Sequence, residues 1–226
     1  MGLPRPAAVV VDLDGTLVDT VGTRIRAWMA VFAEFGLPAD EAHVASLIGS
    51  DGRWLAEQVA SRADRDLATA DAEQIDRRAG EVYQALNTDP RPLPGVGDFL
   101  AALETAGIPW AIATSSRAAQ VTTSIAALGL DPAPRVVDGQ SVQRAKPAPD
   151  LLLAAAGMLG ADPTRCWCLG DSVWDVQAAR AAGMTAVGVT TGAATAAALT
   201  DAGAVHVVAT VDRLIAQLRP PAPRAA

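Results

Sequence analysis

VVVDLDGTLVDT, residues 9–20, is a β-branched run that stops on two carboxylates one residue apart, with Gly15 and Thr16 directly after them. Three valines and a leucine with little alternation predict a parallel strand covered on both faces. Asp12 and Asp14 then stand where that strand ends, which is where open α/β sheets gather their ligands. Gly15 allows a sharp turn without a Cβ penalty. Two acids in that place suit one group that attacks and one that moves a proton.

The chain downstream repeats the device. From Val96 onward helix and strand alternate: Val96, Phe99, Leu100 and Leu103 follow helical spacing closed by Gly107, and IPWAIAT (108–114) reads as a strand. Val121, Ile125 and Leu128 mark a second helix, closed by Gly129 and followed by a short strand near 135–137. A helix over 150–159 leads to the strand CWCLG (166–170), and a helix from about 173 to 182 leads to a strand around 186–190. A strand at 204–208 and a helix at 211–218 complete the series. Strands separated by helices of this length predict an α/β fold: a Rossmann-like three-layer core with a parallel sheet and right-handed crossovers.

Residues 19–90 break the alternation. Ile25, Trp28, Met29, Phe32 and Phe35 mark one amphipathic helix, and Ile75, Ala79, Val82 and Leu86 another. Shorter helical patterns lie around 40–48 and 52–62, and no strand signal appears. The stretch reads as an inserted all-helical cap over the strand ends, rejoining the core through DPRPLPG (89–95). The expected division is a core of residues 1–18 and 91–219, a cap of 19–90, and a disordered tail at 220–226.

Composition narrows the partners. Half of the 226 residues are hydrophobic and 19% are charged, ordinary values for a soluble globular chain. A net charge of −7 argues against nucleic acid and anionic membranes, which demand a basic face. The uncharged stretch 181–200 fails as a membrane span because it carries five threonines and three glycines. No signal peptide is visible, and the expected location is the cytoplasm. Cys166 and Cys168 form a C-x-C pair without further cysteines or a nearby histidine, so they read as buried strand thiols.

The chemistry-bearing residues recur at strand ends. The second strand closes on ATSS, giving Thr114 and Ser115, and the fourth on GDSVWD, giving Asp171 and Asp175. Between them, in RAKPAPD, stands Lys146, the sole lysine of the chain; Pro147 after it also fits a helix entry. Four carboxylates in one crevice repel one another and any anionic substrate. A divalent cation resolves this, and hard oxygen ligands without histidine favour Mg²⁺. With Lys146 adding one positive charge, such a site suits a phosphoryl group, whose transfer depends on alignment and charge stabilisation.

Taken together, VVVDLDGTLVDT, ATSS, KPAPD and GDSVWDVQAARAAGM resemble the four motifs of the haloacid dehalogenase-like hydrolase superfamily, in order and over nearly the whole chain. The helical insertion resembles the subfamily that includes phosphoglycolate phosphatase-like and β-phosphoglucomutase-like enzymes. The resemblance implies that Asp12 attacks phosphorus and becomes an aspartyl-phosphate, and that Asp14 protonates the leaving oxygen and later deprotonates water. It implies Mg²⁺ held by the Asp12 carboxylate, the Asp14 main-chain carbonyl and Asp171. Thr114 and Lys146 would bind phosphoryl oxygens, Ser115 would add a main-chain donor, and Asp175 would bind metal through water or fix the lysine. The implied activity is a Mg²⁺-dependent phosphatase acting on a small phosphorylated metabolite.

Rival chemistries fit less well. Dehalogenases of this superfamily do not keep an acid two residues after the nucleophile, and phosphonatase relatives use a cap lysine that this chain lacks. TRIRAW (23–28) resembles the first cap helix of β-phosphoglucomutases, which carry histidine where Arg24 stands. Phospho-acceptor signalling domains lack the second acid and the insertion. Substrate choice is expected in the cap, with Arg24, Arg26 and Arg53 as candidate contacts. Trp28 fits the cap core, Trp174 is expected against the sheet, and His43 and His206 receive no role.

Overall fold

Val9, Val10 and Val11 are fully shielded from solvent, which is why a run without a polar face forms a strand here. They lie in β1 (Ala8–Val11), and the computed structural model describes residues 3–219, so the tail expected at 220–226 falls outside the described residues. Five more strands share its sheet: β2 (Trp110–Ala113), β3 (Val136–Val137), β4 (Cys166–Gly170), β5 (Thr185–Val189) and β6 (His206–Val208). Their order is β3-β2-β1-β4-β5-β6, and every neighbouring pair is parallel. The direction of winding reverses between β1 and β4, which opens a crevice at their carboxyl ends. Val11 is level with both Ile112 and Leu169, so the residues that follow β1, β2 and β4 emerge side by side.

Strand pleating sends alternate side chains to opposite layers. Val9 and Val11 pack with Phe99, Leu103, Trp167 and Leu214, under α5 (Val96–Thr105), α6 (Ala118–Ala127) and residues 211–218. Ala8 and Val10 pack with Leu151, Leu152, Val176 and Leu199, under α7 (Asp150–Leu159), α8 (Val173–Ala181) and α9 (Ala196–Ala202). The helix expected at 211–218 is present as a 3-10 helix, Val211–Leu218. That tighter winding aligns residues three apart, and Val211 and Leu214 both reach the core.

Four helices lie between β1 and α5: α1 (Val21–Glu34), α2 (Glu41–Leu47), α3 (Gly52–Arg62) and α4 (Thr69–Leu86). They enclose an apolar cluster of their own around Trp28, Phe32, Val44, Leu55 and Ile75. Leu86, expected on the buried face of α4, is exposed, because the buried line runs through Ala72, Ile75, Ala79 and Tyr83 instead. Trp174 also departs from expectation. Its ring meets Trp54 of α3 edge-on at 4.9 Å and its Nε1 donates to the Ser46 carbonyl, so it packs on the inserted helices and not on the sheet.

The two linkers joining these helices to the sheet run alongside each other. Asp19 N–H donates to the Arg91 carbonyl at 2.9 Å and Leu93 N–H to the Leu17 carbonyl at 2.9 Å, with Val18 bridged antiparallel to Pro92. Among the described residues no helix is long and apolar enough to cross a membrane. Cys166 and Cys168 are buried thiols on β4, as read from the sequence.

Candidate active site

Asp12 is the first residue beyond β1, and its N–H donates to the Leu169 carbonyl of β4 at 2.9 Å, which fixes the start of the turn. Gly15 then takes φ = 86°, and a Cβ built there would fall 2.5 Å from Asp171 Oδ2. The position therefore needs glycine twice, for its conformation and for the room it leaves a carboxylate. Asp171, just past β4, accepts from Thr16 Oγ at 3.0 Å. The loop after β5 closes in as tightly, since a Cβ on Gly192 would overlap Asp171 Oδ2.

Lys146 arrives from the loop before α7, and Pro147 lies ahead of that helix without entering it. Its Nζ sits 2.6 Å from Asp12 Oδ1 and 2.7 Å from Asp175 Oδ1, with the lysine side chain 1% exposed. Asp175 occupies the third position of α8, where its N–H donates to Ser172 Oγ and Ser172 N–H donates to its Oδ2, completing a capping box, with Ser172 Oγ also donating to Oδ2. One side chain thus caps a helix and steers the lysine.

Asp12, Asp171 and Asp175 each offer a carboxylate oxygen within 4.8 Å of the others, all buried. Burial pushes the Asp12 carboxyl up to about 7; Lys146 opposes this, while Asp175 and Asp14 add to it. Asp171 is raised well above the carboxylate range by burial, then by the charges of Asp12 and Asp175. Including Asp14, four carboxylates here meet two cations, Lys146 and Arg24, so two negative charges lack a counterpart. One divalent cation matches that deficit, and an all-oxygen donor set suits a hard ion. The residues present fit such an ion.

Asp14 is absent from that triad and held instead by four donors. Arg24 Nη2 reaches Asp14 Oδ2 at 2.8 Å and Ser116 Oγ the same oxygen at 3.2 Å. Thr20 Oγ and Tyr83 Oη donate to Oδ1 at 2.6 and 3.1 Å. Burial by itself would raise this carboxyl, but Arg24 and the hydroxyls outweigh it and hold Asp14 below the usual range. Arg24 also stacks on the Tyr83 ring, 3.6 Å from its centroid. Burial, and next the nearby Asp14 charge, pushes the Tyr83 hydroxyl up to about 12. Sequence reasoning missed Thr20, Tyr83 and Ser116 as Asp14 partners. The one available signal was that Tyr83 is the sole tyrosine of the chain.

Thr114 follows β2, where its N–H bonds the Val137 carbonyl and its Oγ accepts from Ser116 N–H at 3.1 Å. Ser115 Oγ donates to the Gly49 carbonyl at 2.9 Å, and Asp51 N–H donates to the Lys146 carbonyl at 2.9 Å. Both bonds tie the inserted helices to the strand-end loops.

A cavity of about 350 Å³ lies between the two parts, lined by Asp12, Asp14, Thr114, Ser115, Arg24 and Arg53 among others. Lys146, Asp171 and Asp175 are not on its wall. Asp12 is therefore the member of the buried cluster that opens onto the space where a ligand fits. Arg24 reaches the wall with its charge occupied by Asp14, while the Arg53 side chain, 40% exposed, leans toward Asp51 at 3.3 Å.

Comparison with known proteins gives a consistent result. A family model described as haloacid dehalogenase-like hydrolase matches residues 9–189. Fructose-1-phosphate phosphatase YqaB of Escherichia coli (strain K12) is 35% identical over 82% of this chain and 97% of its own. The β-phosphoglucomutase of Bacillus subtilis (strain 168) is 31% identical over 80% of this chain and 82% of its own. Among solved structures, a hydrolase from Pseudomonas syringae superimposes with a TM-score of 0.89 at 31% identity, covering 93% of this chain and 97% of that one.

Proposed function

The chain belongs to the haloacid dehalogenase-like hydrolases, and from that premise we propose which of its residues carry out the reaction and on what class of substrate. The protein is a phosphomonoester hydrolase that works through an aspartyl-phosphate. Its substrate in our reading is a small phosphorylated metabolite, admitted between the strand ends and the helices 19–90, which act as the cap. The observation that carries the assignment of roles is the exposure of Asp12 to the cavity with Asp14 on the same wall.

An Asp12 carboxylate oxygen attacks phosphorus as the bond from phosphorus to the ester oxygen breaks, and Asp14 gives that oxygen a proton. A water molecule, deprotonated by Asp14, then attacks the phospho-aspartate, releasing inorganic phosphate and restoring Asp12. Held by Arg24 and three hydroxyls, Asp14 stands in the ionised form that the second step needs. Service as the acid requires it to leave Arg24 and take up a proton. Lys146 holds Asp12 in line from behind the cavity wall and lends its charge there, while Thr114, on the wall, faces the phosphoryl oxygens. Asp12, Asp171 and the Asp14 main-chain carbonyl, with Asp175 beside them, would hold Mg²⁺, which supplies charge that offsets repulsion between carboxylates and phosphate.

Isomerisation of a sugar phosphate has less support, because Arg24, at the position where mutases carry histidine, is committed to Asp14. The two buried thiols suit a reducing compartment, in keeping with a cytoplasmic location. The test is phosphate release from a panel of small phosphoesters with excess Mg²⁺. Turnover that needs Asp12 supports the assignment; steady conversion of β-glucose 1-phosphate to glucose 6-phosphate without phosphate release would overturn it.

A further inference from the structure

We infer that the outer half of the cavity selects a leaving group that is hydroxylated and uncharged, and that Asp76 is the residue that sets this choice. The inference rests on the phosphatase reading and adds the substrate class to it.

A cavity wall with three arginines would suit an anionic leaving group such as a carboxylate or a second phosphate. The partners of those arginines argue otherwise. Arg24 is bound to Asp14 at 2.8 Å. Arg117, from the loop after β2, is bound to Asp76 of α4 at 2.6 Å, with the Asp76 side chain only 17% exposed. Arg53 lies 3.3 Å from Asp51 and 3.7 Å from Glu73. On the cavity wall away from Asp12 and Asp14, Arg53 and Arg117 are matched one for one by Asp51 and Asp76. A leaving group meets no free cation there, and an anionic one must displace a carboxylate from its arginine or lie beside it, which costs affinity.

The seat of Asp76 is built for it. A Cβ on Gly52 would overlap Asp76 Oδ1, so the first residue of α3 leaves the space that the carboxylate fills. If Arg117 turned to grip an anion, it would abandon a largely buried carboxylate beside that anion, which is the costly way to break such a pair. The remaining wall is neutral: the apolar Trp28, Ile48, Leu55 and Val142 share it with amides. Gln120 Oε1 already accepts from Arg117 N–H, while Gln140 and Gln143 carry amides that both donate and accept, as a polyol's hydroxyls require.

The test compares kcat/KM, with Mg²⁺ present, for fructose 1-phosphate, phosphoglycolate and xylulose 1,5-bisphosphate, whose leaving groups are neutral, anionic and anionic. p-Nitrophenyl phosphate serves as the control for chemistry. The neutral sugar is expected to lead both anionic leaving groups by on the order of ten-fold or more. Asp76→Asn, nearly isosteric, releases Arg117 and should narrow or reverse that ratio. Arg117→Gln leaves Asp76 without its cation and should widen it, and this second variant decides the matter if the first does not fold. Equal or better turnover of the anionic pair by the unaltered protein, or ratios that neither variant moves, would overturn the inference while hydrolysis of p-nitrophenyl phosphate kept the phosphatase reading intact. No turnover of any ester, that control included, would remove the phosphatase reading and this inference with it.

Discussion

Arg24, in the first inserted helix, holds Asp14 of the turn after β1 at 2.8 Å, with both side chains about nine-tenths buried. The partner that keeps Asp14 ionised thus comes from the part of the chain that covers the cavity. The proposed proton carrier and the cover over the cavity share one ion pair.

Arg24→Gln should therefore act on two readouts. Breaking a buried pair from one side typically costs about 3–5 kcal/mol, so the melting temperature should fall. Without Arg24 the Asp14 carboxyl titrates higher, because its main opposing charge is gone. The alkaline limb of the kcat/KM profile, which covers the step where Asp14 gives up its proton, should then move to higher pH, since the protonated form persists further as pH rises. An unshifted limb would separate Asp14 from the proton transfer.

Asp12→Asn should lower turnover by on the order of 10⁴-fold or more while circular dichroism stays that of the parent. The substitution removes the attacking charge and also relieves repulsion from Asp171 and Asp175, so folding is not at risk. Retained phosphate release would refute the nucleophile assignment.

Lys146→Ala should slow turnover on the order of 10²-fold or more, because Asp12 and Asp175 would face each other with no cation between them. Lys146→Arg should rescue little. A planar guanidinium does not fit a site 1% exposed that was shaped around a compact ammonium. A rate matching the parent in either variant would make the lysine structural.

Metal dependence has a readout apart from activity. Millimolar Mg²⁺ should raise the melting temperature of the parent protein, as any ligand of the folded state does, and EDTA should reverse the gain. Asp171→Ala should lose most of the gain. Equal stabilisation of both proteins would place the ion elsewhere.

What was legible in the sequence follows the range of the interactions. The strand at 166–170 and the helix at 150–159 match the structure residue for residue, since burial, capping and glycine stops are local signals. Asp12 and Asp171 meet because β1 and β4 end level, so strand-end motifs sufficed to nominate them, while Asp175 joins from the first turn of α8 and Lys146 from the loop before α7. The hold on Asp14 was not legible. It depends on Tyr83, 69 residues away, and Ser116, 102 residues away, meeting across the cavity. Trp174 was misplaced for the same reason: its apolar partner, Trp54, belongs to the insertion. Arg24 and Arg53 were named as contacts from their place in the insertion; the pairing of Arg24 with Asp14 depends on the first helix folding back on the turn after β1, whereas Asp51 stands only two residues before Arg53.

The linkers bridged at Val18 and Pro92 make a doorway two backbone hydrogen bonds wide, through which the whole helical segment departs and returns. The sheet is closed behind that doorway whatever lies beyond it. On the proposed reading, recognition and bond-making can accordingly be inherited apart: a foreign segment grafted there would bring new selectivity to the same buried carboxylates. It would have to replace the grip of Arg24 and Tyr83 on Asp14, and the bonds by which Gly49 and Asp51 meet the strand-end loops.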